Sequence, residues 1–200
     1  MNIQNKISIE HIIKTMNRRA HLGFLIRLLN LKKICEVGVL AGSHLKFMVN
    51  EDIDLCVGID VWGLYPTNIK MYDQKLWKKE SFYNRLLRWG KKQSFEVQLI
   101  RDFSHNAVEK FENNYFDYIY LDADHSYEAT WSDMQRWWPK VKSGGILGGH
   151  DYNQGFIDEY GYKYGVYEAV HSFINQHKDK IILMHVIKEE PASSFYIIKR

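Results

Sequence analysis

The sequence is poor in the residues that build special architectures. Its 200 positions hold 2 cysteines, 3 prolines and 13 glycines. Two thiols, Cys35 and Cys56, are too few for a disulfide scaffold or a zinc module, and they are expected to be reduced and buried. So little proline and glycine argues against a collagen-like or loop-dominated chain. No apolar run approaches the roughly 20 residues of a membrane span. Residues 1–14 lack the apolar core and small-residue cleavage site of a signal peptide. A cytoplasmic protein with no membrane partner is therefore expected. Charge bias is missing too: 27 Lys and Arg against 24 Asp and Glu leave +3, with the 9 His neutral. That predicts no nucleic-acid partner, which would call for a clustered basic face. What the chain does have is 46% hydrophobic and 14% aromatic residues. These suffice for one core and for lining a cleft, and the length suits one domain.

Apolar periodicity organises the chain. Ile9, Ile12, Ile13, Met16, Ala20, Phe24, Leu25 and Leu28 recur at spacings of three and four and predict an amphipathic helix over 8–29. Short apolar runs predict strands at 34–39, 55–61, 95–100, 116–121, 146–147, 181–187 and 194–198. Helices are expected from Ser43, over 73–90, from a cap at Ser104 to 111, from Ser126 to before Pro139, and over 166–177. Residues 152–163 read as a loop. Strands alternating with helices predict an α/β fold: a single Rossmann-like, doubly wound seven-stranded sheet, mostly parallel with a C-terminal antiparallel strand. Residues 1–29 would be a helical extension and 31–200 the core. Ligands of such sheets bind beyond the carboxyl ends of the strands, so the residues after each strand carry the information.

After the first strand stand Glu36, Gly38, Gly42 and Ser43. The glycines let backbone approach a ligand and turn into a helix, and Ser43 suits an N-cap. Their G-x-x-x-G spacing lacks the dinucleotide pattern G-x-G-x-x-G; a purely structural turn is the competing reading. Asp60 ends the second strand, about 20 residues after that turn, where a carboxylate suits the two hydroxyls of a ribose. Asp102, Phe103 and Ser104 follow the third strand and could meet an adenine, with ordinary capping as the competing reading. Asp122, Asp124 and His125 follow the fourth strand, and His150 and Asp151 the fifth. If those strands are neighbours, about 4.8 Å apart, their acidic and imidazole groups converge. A divalent cation would relieve that crowding. The competing reading is helix capping by Asp124 and a loop Asp151.

Together these residues resemble the class I S-adenosylmethionine-dependent methyltransferases, over about Lys33 to Tyr152. Glu36, Gly38 and Gly42 stand in the family's first motif, and Asp60, beside Val61 and Trp62, in its second-strand position. Asp102, Phe103 and Ser104 form its adenine-side segment. The stretch from Phe116 to His125, with Gly144, Gly145, His150 and Asp151, is similar to the small metal-dependent O-methyltransferase branch, which includes catechol, caffeoyl-coenzyme A and macrolide-sugar enzymes. The resemblance implies S-adenosylmethionine as cofactor, Asp122, His150 and Asp151 as metal ligands, and His125 as general base. Asp122 would serve both catalysis and cofactor. His at the base position matches the sugar enzymes, where catechol enzymes tend to have Lys. The implied acceptor is therefore a small-molecule hydroxyl, a sugar or nucleotide-sugar rather than a catechol.

The pair His150-Asp151 departs from the branch's usual Asp-Asn or Glu-Asp. Imidazole suits Mn, Fe or Zn better than Mg. Three readings follow: a metal softer than Mg, a His150 that does not ligate, or a metal-free site. A metal-free methyltransferase, an aminopropyl transferase using Asp122 and Asp124, and a non-catalytic S-adenosylmethionine-binding module are the alternatives. Trp62, Tyr65 and Tyr72 are expected in a loop over the cofactor, and Tyr152, Tyr160 and Tyr162 in a second lid. Lys75, Lys78, Lys79, Arg85, Arg88, Lys91 and Lys92 read as a solvated helix face or an anionic-substrate surface. Residues 1–28 either cover the cleft or make a homodimer contact.

Overall fold

The computed structural model describes residues 13–18, 21–63, 80–159, 161–188 and 192–200. Tyr65, Tyr72, Tyr160, Lys75, Lys78 and Lys79 lie outside them. The elements alternate as the sequence pattern requires: α1 (Leu22–Leu28), β1 (Lys33–Val37), α2 (Ser43–Met48), β2 (Leu55–Asp60), α3 (Glu80–Gly90), β3 (Glu96–Arg101), α4 (Ser104–Ala107), β4 (Phe116–Leu121), α5 (Tyr127–Trp137), β5 (Val141–Gly149), α6 (Val166–His177), β6 (Ile181–Ile187) and β7 (Ser194–Lys199).

One seven-stranded sheet runs in the order β3-β2-β1-β4-β5-β7-β6. Pairing is parallel from β3 to β5, and β7 is antiparallel to both β5 and β6. The expected doubly wound sheet with an antiparallel C-terminal strand is what forms.

The central strands are buried on both faces, which is why they read as near-continuous apolar runs. Successive side chains point to opposite faces. Cys35, Val37, Val57, Ile59, Ile119 and Leu121 pack with Met134, Trp137, Val170 and Phe173 of α5 and α6. Ile34, Cys56, Tyr118 and Tyr120 pack with Leu25, Ile26, Leu45 and Leu86 of α1, α2 and α3. Cys35 and Cys56 are free, buried thiols, and burial pushes both up from the usual range.

Three expected elements come out differently. The helix expected over 8–29 is interrupted: helix at 13–15 gives way at Met16–Arg18, and α1 begins at Leu22. Ile13 and Met16 are buried with Leu22, Leu25 and Ile26 all the same, so periodicity reported burial and not continuity. Ser43 does not cap α2. The capping residue is Gly42, in the left-handed region at φ 75°. Ser104 does not cap α4 either, because its hydroxyl turns toward α5.

Strand order reverses between β1 and β4, the place where such sheets open a ligand crevice. The strands end there nearly level. Beyond their last residues pairing continues for one more bond: Gly38 N–H to Ile59 O (2.8 Å), Asp122 N–H to Val37 O (2.7 Å), His150 N–H to Leu121 O (3.1 Å) and Asp102 N–H to Asp60 O (3.1 Å). Every candidate site segment thus starts from one rim. Among the described residues no helix is long and apolar enough to cross a membrane.

Candidate active site

At the β1 rim Glu36 is 1% exposed. Its Oε1 lies 3.3 Å from His44 Nδ1, and its Oε2 is buried without a hydrogen-bond partner among the described residues. Burial, with Asp122 and Asp60 nearby, holds this carboxyl well above the usual range, against a hydrogen bond from Leu45 N–H. His44 lies against Tyr120, ring centroids 3.9 Å apart. Its place in the glycine turn was the only signal in the sequence that could have found it. Gly38 is required twice over: φ is +92°, and an added Cβ would sit 1.9 Å from Asp122 O. The backbone can therefore pass directly under the β4 rim. Ser43, one residue past that turn, is exposed.

At the β2 rim Asp60 Oδ2 accepts Leu40 N–H (2.8 Å) and Oδ1 accepts Trp62 N–H (2.9 Å). Burial raises this carboxyl, and the N–H groups of Trp62, Leu40, Val61 and Val39 pull it back. Val61 is buried. Trp62 is not an aromatic lid: it is 2% exposed, its Nε1–H donates to Leu40 O (2.8 Å), and its ring lies 5.0 Å from Tyr83. Arg85, Arg88, Lys91 and Lys92 are exposed, the pattern of a solvated helix face.

At the β3 rim Asp102 is held below the usual carboxylate range, chiefly by Asn106 and by Phe103 N–H, with Lys110 beside it. Phe103 is half-buried and stacks toward His105 (5.6 Å). Ser104 Oγ donates to Asp133 Oδ1 (2.5 Å) and accepts Trp137 Nε1–H (2.9 Å).

Asp133 is a buried carboxyl pushed up to about 6 by its burial. The native state therefore keeps a proton that the unfolded chain releases between about pH 4 and 6. Its charge costs stability above that window, and the cost fades as pH falls through it. Asp133→Asn is expected to raise the unfolding free energy at pH 8 by roughly 2 kcal/mol and to leave it unchanged at pH 4, measured by urea denaturation. A loss at pH 8 would show that Ser104 favours the charged form more than burial opposes it.

The β4 and β5 rims bring Asp122, His125, His150 and Asp151 together, since these strands are neighbours. Asp122, His125 and Asp151 each offer a ligand atom within 4.8 Å of the others. His125 Nδ1 is 3.3 Å from Asp151 Oδ2. His150 stands beside this group, its Nδ1 3.1 Å from Asp151 Oδ2 and 3.7 Å from Asp122 Oδ1. Asp151 is buried at φ +55°, a backbone state that non-glycine residues visit rarely and that clusters at functional sites. A cavity of about 10 Å³ behind the group is lined by His125, His150, Asp133 and Thr130.

The loop after β5 covers one side of this group. Tyr164 stacks on His125, centroids 4.7 Å apart at 18°. Gly165 N–H donates to His125 O (2.8 Å). Tyr162 donates to Asp124 Oδ1 (3.3 Å), which also accepts Ser126 N–H (2.8 Å). Tyr152 instead turns to His171 (2.7 Å). Tyr164 was not singled out in the sequence, where nothing distinguishes it from the neighbouring tyrosines.

The seven-stranded, mostly parallel sheet with an antiparallel β7, and a carboxyl rim that gathers a glycine turn, carboxylates and imidazoles, is the Rossmann-like architecture of a methyltransferase domain. The model of the methyltransferase domain family matches residues 35–152, and the chain belongs to that family. It is an S-adenosylmethionine-dependent methyltransferase. Solved structures share the fold. A protein described as a caffeoyl-CoA O-methyltransferase from Staphylococcus aureus aligns with TM-score 0.63 at 14% identity, over 96% of this chain and 92% of that one. An O-methyltransferase from Bacillus cereus, in complex with SAH, aligns at 0.60 and 10% identity, over 96% and 90%. Spermidine synthase from Thermotoga maritima aligns at 0.54 and 15%, over 84% of this chain and 53% of that one. No curated protein sequence matches the chain.

Proposed function

We propose that this enzyme methylates a hydroxyl of a small molecule, a sugar or nucleotide-linked sugar before a catechol, with the help of a divalent cation. The convergence of Asp122, His125 and Asp151 within 4.8 Å at the carboxyl rim carries this reading. Asp122 and Asp151 fit a divalent cation, Mg or Mn, and the His150 imidazole beside both carboxylates also suits a softer metal. Asp122 and Asp151 would hold it, with His150, whose Nδ1 lies 3.1 Å from Asp151 Oδ2, as the third ligand. When bound, such a cation acidifies a coordinated hydroxyl as a Lewis acid.

The chain's own residues do the rest. Glu36, Gly38, Gly42 and Ser43 flank the cofactor's methionine end. Asp60 receives the ribose hydroxyls, with Val61 and Trp62 behind it. Asp102, Phe103 and Ser104 flank the adenine. A cofactor held by these segments would present its methyl near the Asp122 rim, where positioning would supply much of the barrier reduction. The acceptor hydroxyl must lose its proton as it attacks. His125, with Nδ1 3.3 Å from Asp151 Oδ2, would take that proton. Tyr164, Phe156 and Tyr162 form an aromatic wall beside His125, a surface on which sugar rings pack.

The aminopropyl alternative requires an acidic pair at Asp122 and Asp124, but Asp124 is exposed and tied to Ser126 and Tyr162. The test is transfer of labelled methyl from S-adenosylmethionine to sugars, nucleotide-sugars and catechols, with Mn²⁺ or Mg²⁺ and with chelator. An O-methyl ether formed only with metal is expected. Metal-independent turnover, or labelled S-methyl transfer to a thiol alone, would contradict the reading.

A further inference from the structure

The loops after β1, β2 and β3 meet at Trp62, and every polar atom of that residue is used. Its N–H donates to Asp60 Oδ1 (2.9 Å), its Nε1–H to Leu40 O (2.8 Å), and its carbonyl accepts Arg101 Nη2–H (2.7 Å). Leu40 in turn gives its N–H to Asp60 Oδ2 (2.8 Å). Leu40 and Trp62 both sit in the left-handed region, at φ 48° and 36°. Bulky residues rarely adopt that state, and it persists only where the surroundings hold it.

Arg101 closes the ring from outside. It ends β3 directly opposite Asp60. Its guanidinium also lies 3.6 Å from Glu80 Oε1 and 5.8 Å above the Tyr83 ring. Trp62 packs on that same Tyr83 (5.0 Å). Arg101 Nε is buried without a hydrogen-bond partner among the described residues. An unmet buried donor is costly, and an apolar side chain of similar length would fill the slot without it. Packing alone does not account for an arginine here.

Each carboxylate oxygen offers two acceptor directions. The two short backbone bonds, from Leu40 and Trp62, fall one on each oxygen of Asp60, with the Val39 and Val61 N–H groups also turned toward the carboxylate, so the directions left for a ligand are set by how firmly Leu40 and Trp62 are held. We propose that Arg101 is a positioning residue for the cofactor: by gripping the Trp62 carbonyl it fixes the paired left-handed turns that aim Asp60 at the ribose hydroxyls. The proposal rests on the reading of Asp60 as the ribose acceptor. Lysine cannot substitute fully, because it lacks the planar fork that spans Trp62 and Glu80 at once.

The test is calorimetry of S-adenosylhomocysteine and of its 2′,3′-dideoxyribose analogue, on wild type, Arg101→Met, Arg101→Lys, Trp62→Phe and Asp60→Ala. Arg101→Met is expected to weaken S-adenosylhomocysteine about 10-fold, the worth of one charge-assisted hydrogen bond. It should weaken the analogue by less than about 2-fold, since the contact it tunes is already gone. Arg101→Lys and Trp62→Phe should show the same selective loss, smaller in size, and they carry the test if Arg101→Met fails to fold. In the Asp60→Ala background Arg101→Met should add nothing.

Equal losses for both ligands in all three variants, or no loss, would overturn the positioning role. A wild type that binds both ligands equally would instead remove the ribose reading of Asp60, and the proposal with it.

Discussion

Gly38→Ala is expected to lower the unfolding free energy by about 4 kcal/mol or more, at the extreme end of single substitutions. Three effects combine. The new Cβ would lie 1.9 Å from Asp122 O and 2.7 Å from the Ala123 Cα. Both are backbone atoms, so no side chain can swing aside. The φ of +92° is one that alanine avoids. The clash also falls where Asp122 N–H bonds Val37 O, so relief means parting β1 from β4 at the switch point. Urea denaturation reads the loss directly. A variant within 1 kcal/mol of wild type would mean that the two rims are not in contact as described. Any variant that still folds should bind cofactor poorly, because Glu36 and Asp122 move with the rim.

His125→Ala is expected to reduce kcat by about 10²–10⁴-fold, the usual contribution of a placed general base, with S-adenosylhomocysteine affinity little changed. The imidazole is held on two sides, by Asp151 Oδ2 at 3.3 Å and by the Tyr164 ring at 4.7 Å. Its carbonyl is tied to Gly165 as well. A base held this way loses little motion on reaction, and its removal leaves no group in its place. Full activity in His125→Ala would end the base assignment, and a parallel loss of metal affinity would make His125 a ligand.

The sheet was legible because its central strands are apolar on both faces, and because each is followed by polar or glycine residues. That same pattern placed Asp60, Asp102, Asp122 and Asp151 on one rim, because in a parallel sheet the residues at and just after each strand's end have nowhere else to go, while Glu36 lies one residue inside the end of β1. The order of β4 beside β5 then brought Asp122 to Asp151. What stayed hidden depends on side-chain direction. Trp62 was expected over the cofactor and instead turns inward, because its Nε1–H finds Leu40 O and its ring finds Tyr83. Ser104 looked like a cap and instead serves Asp133 and Trp137. Arg101, Asp133 and Tyr164 matter only through partners distant in sequence, so local patterns could not mark them. The break at Met16–Arg18 escaped for a related reason, since the burial phase is the same on both sides of it.

The central claim, a cation-assisted site at Asp122 and Asp151, is tested most directly by calorimetric titration of Mn²⁺ into the enzyme saturated with S-adenosylhomocysteine and a sugar acceptor, in wild type and Asp151→Asn. The account predicts one saturable binding event in wild type and its loss in Asp151→Asn, while the variant still binds S-adenosylhomocysteine. No binding in wild type, or equal binding in the variant, would contradict it.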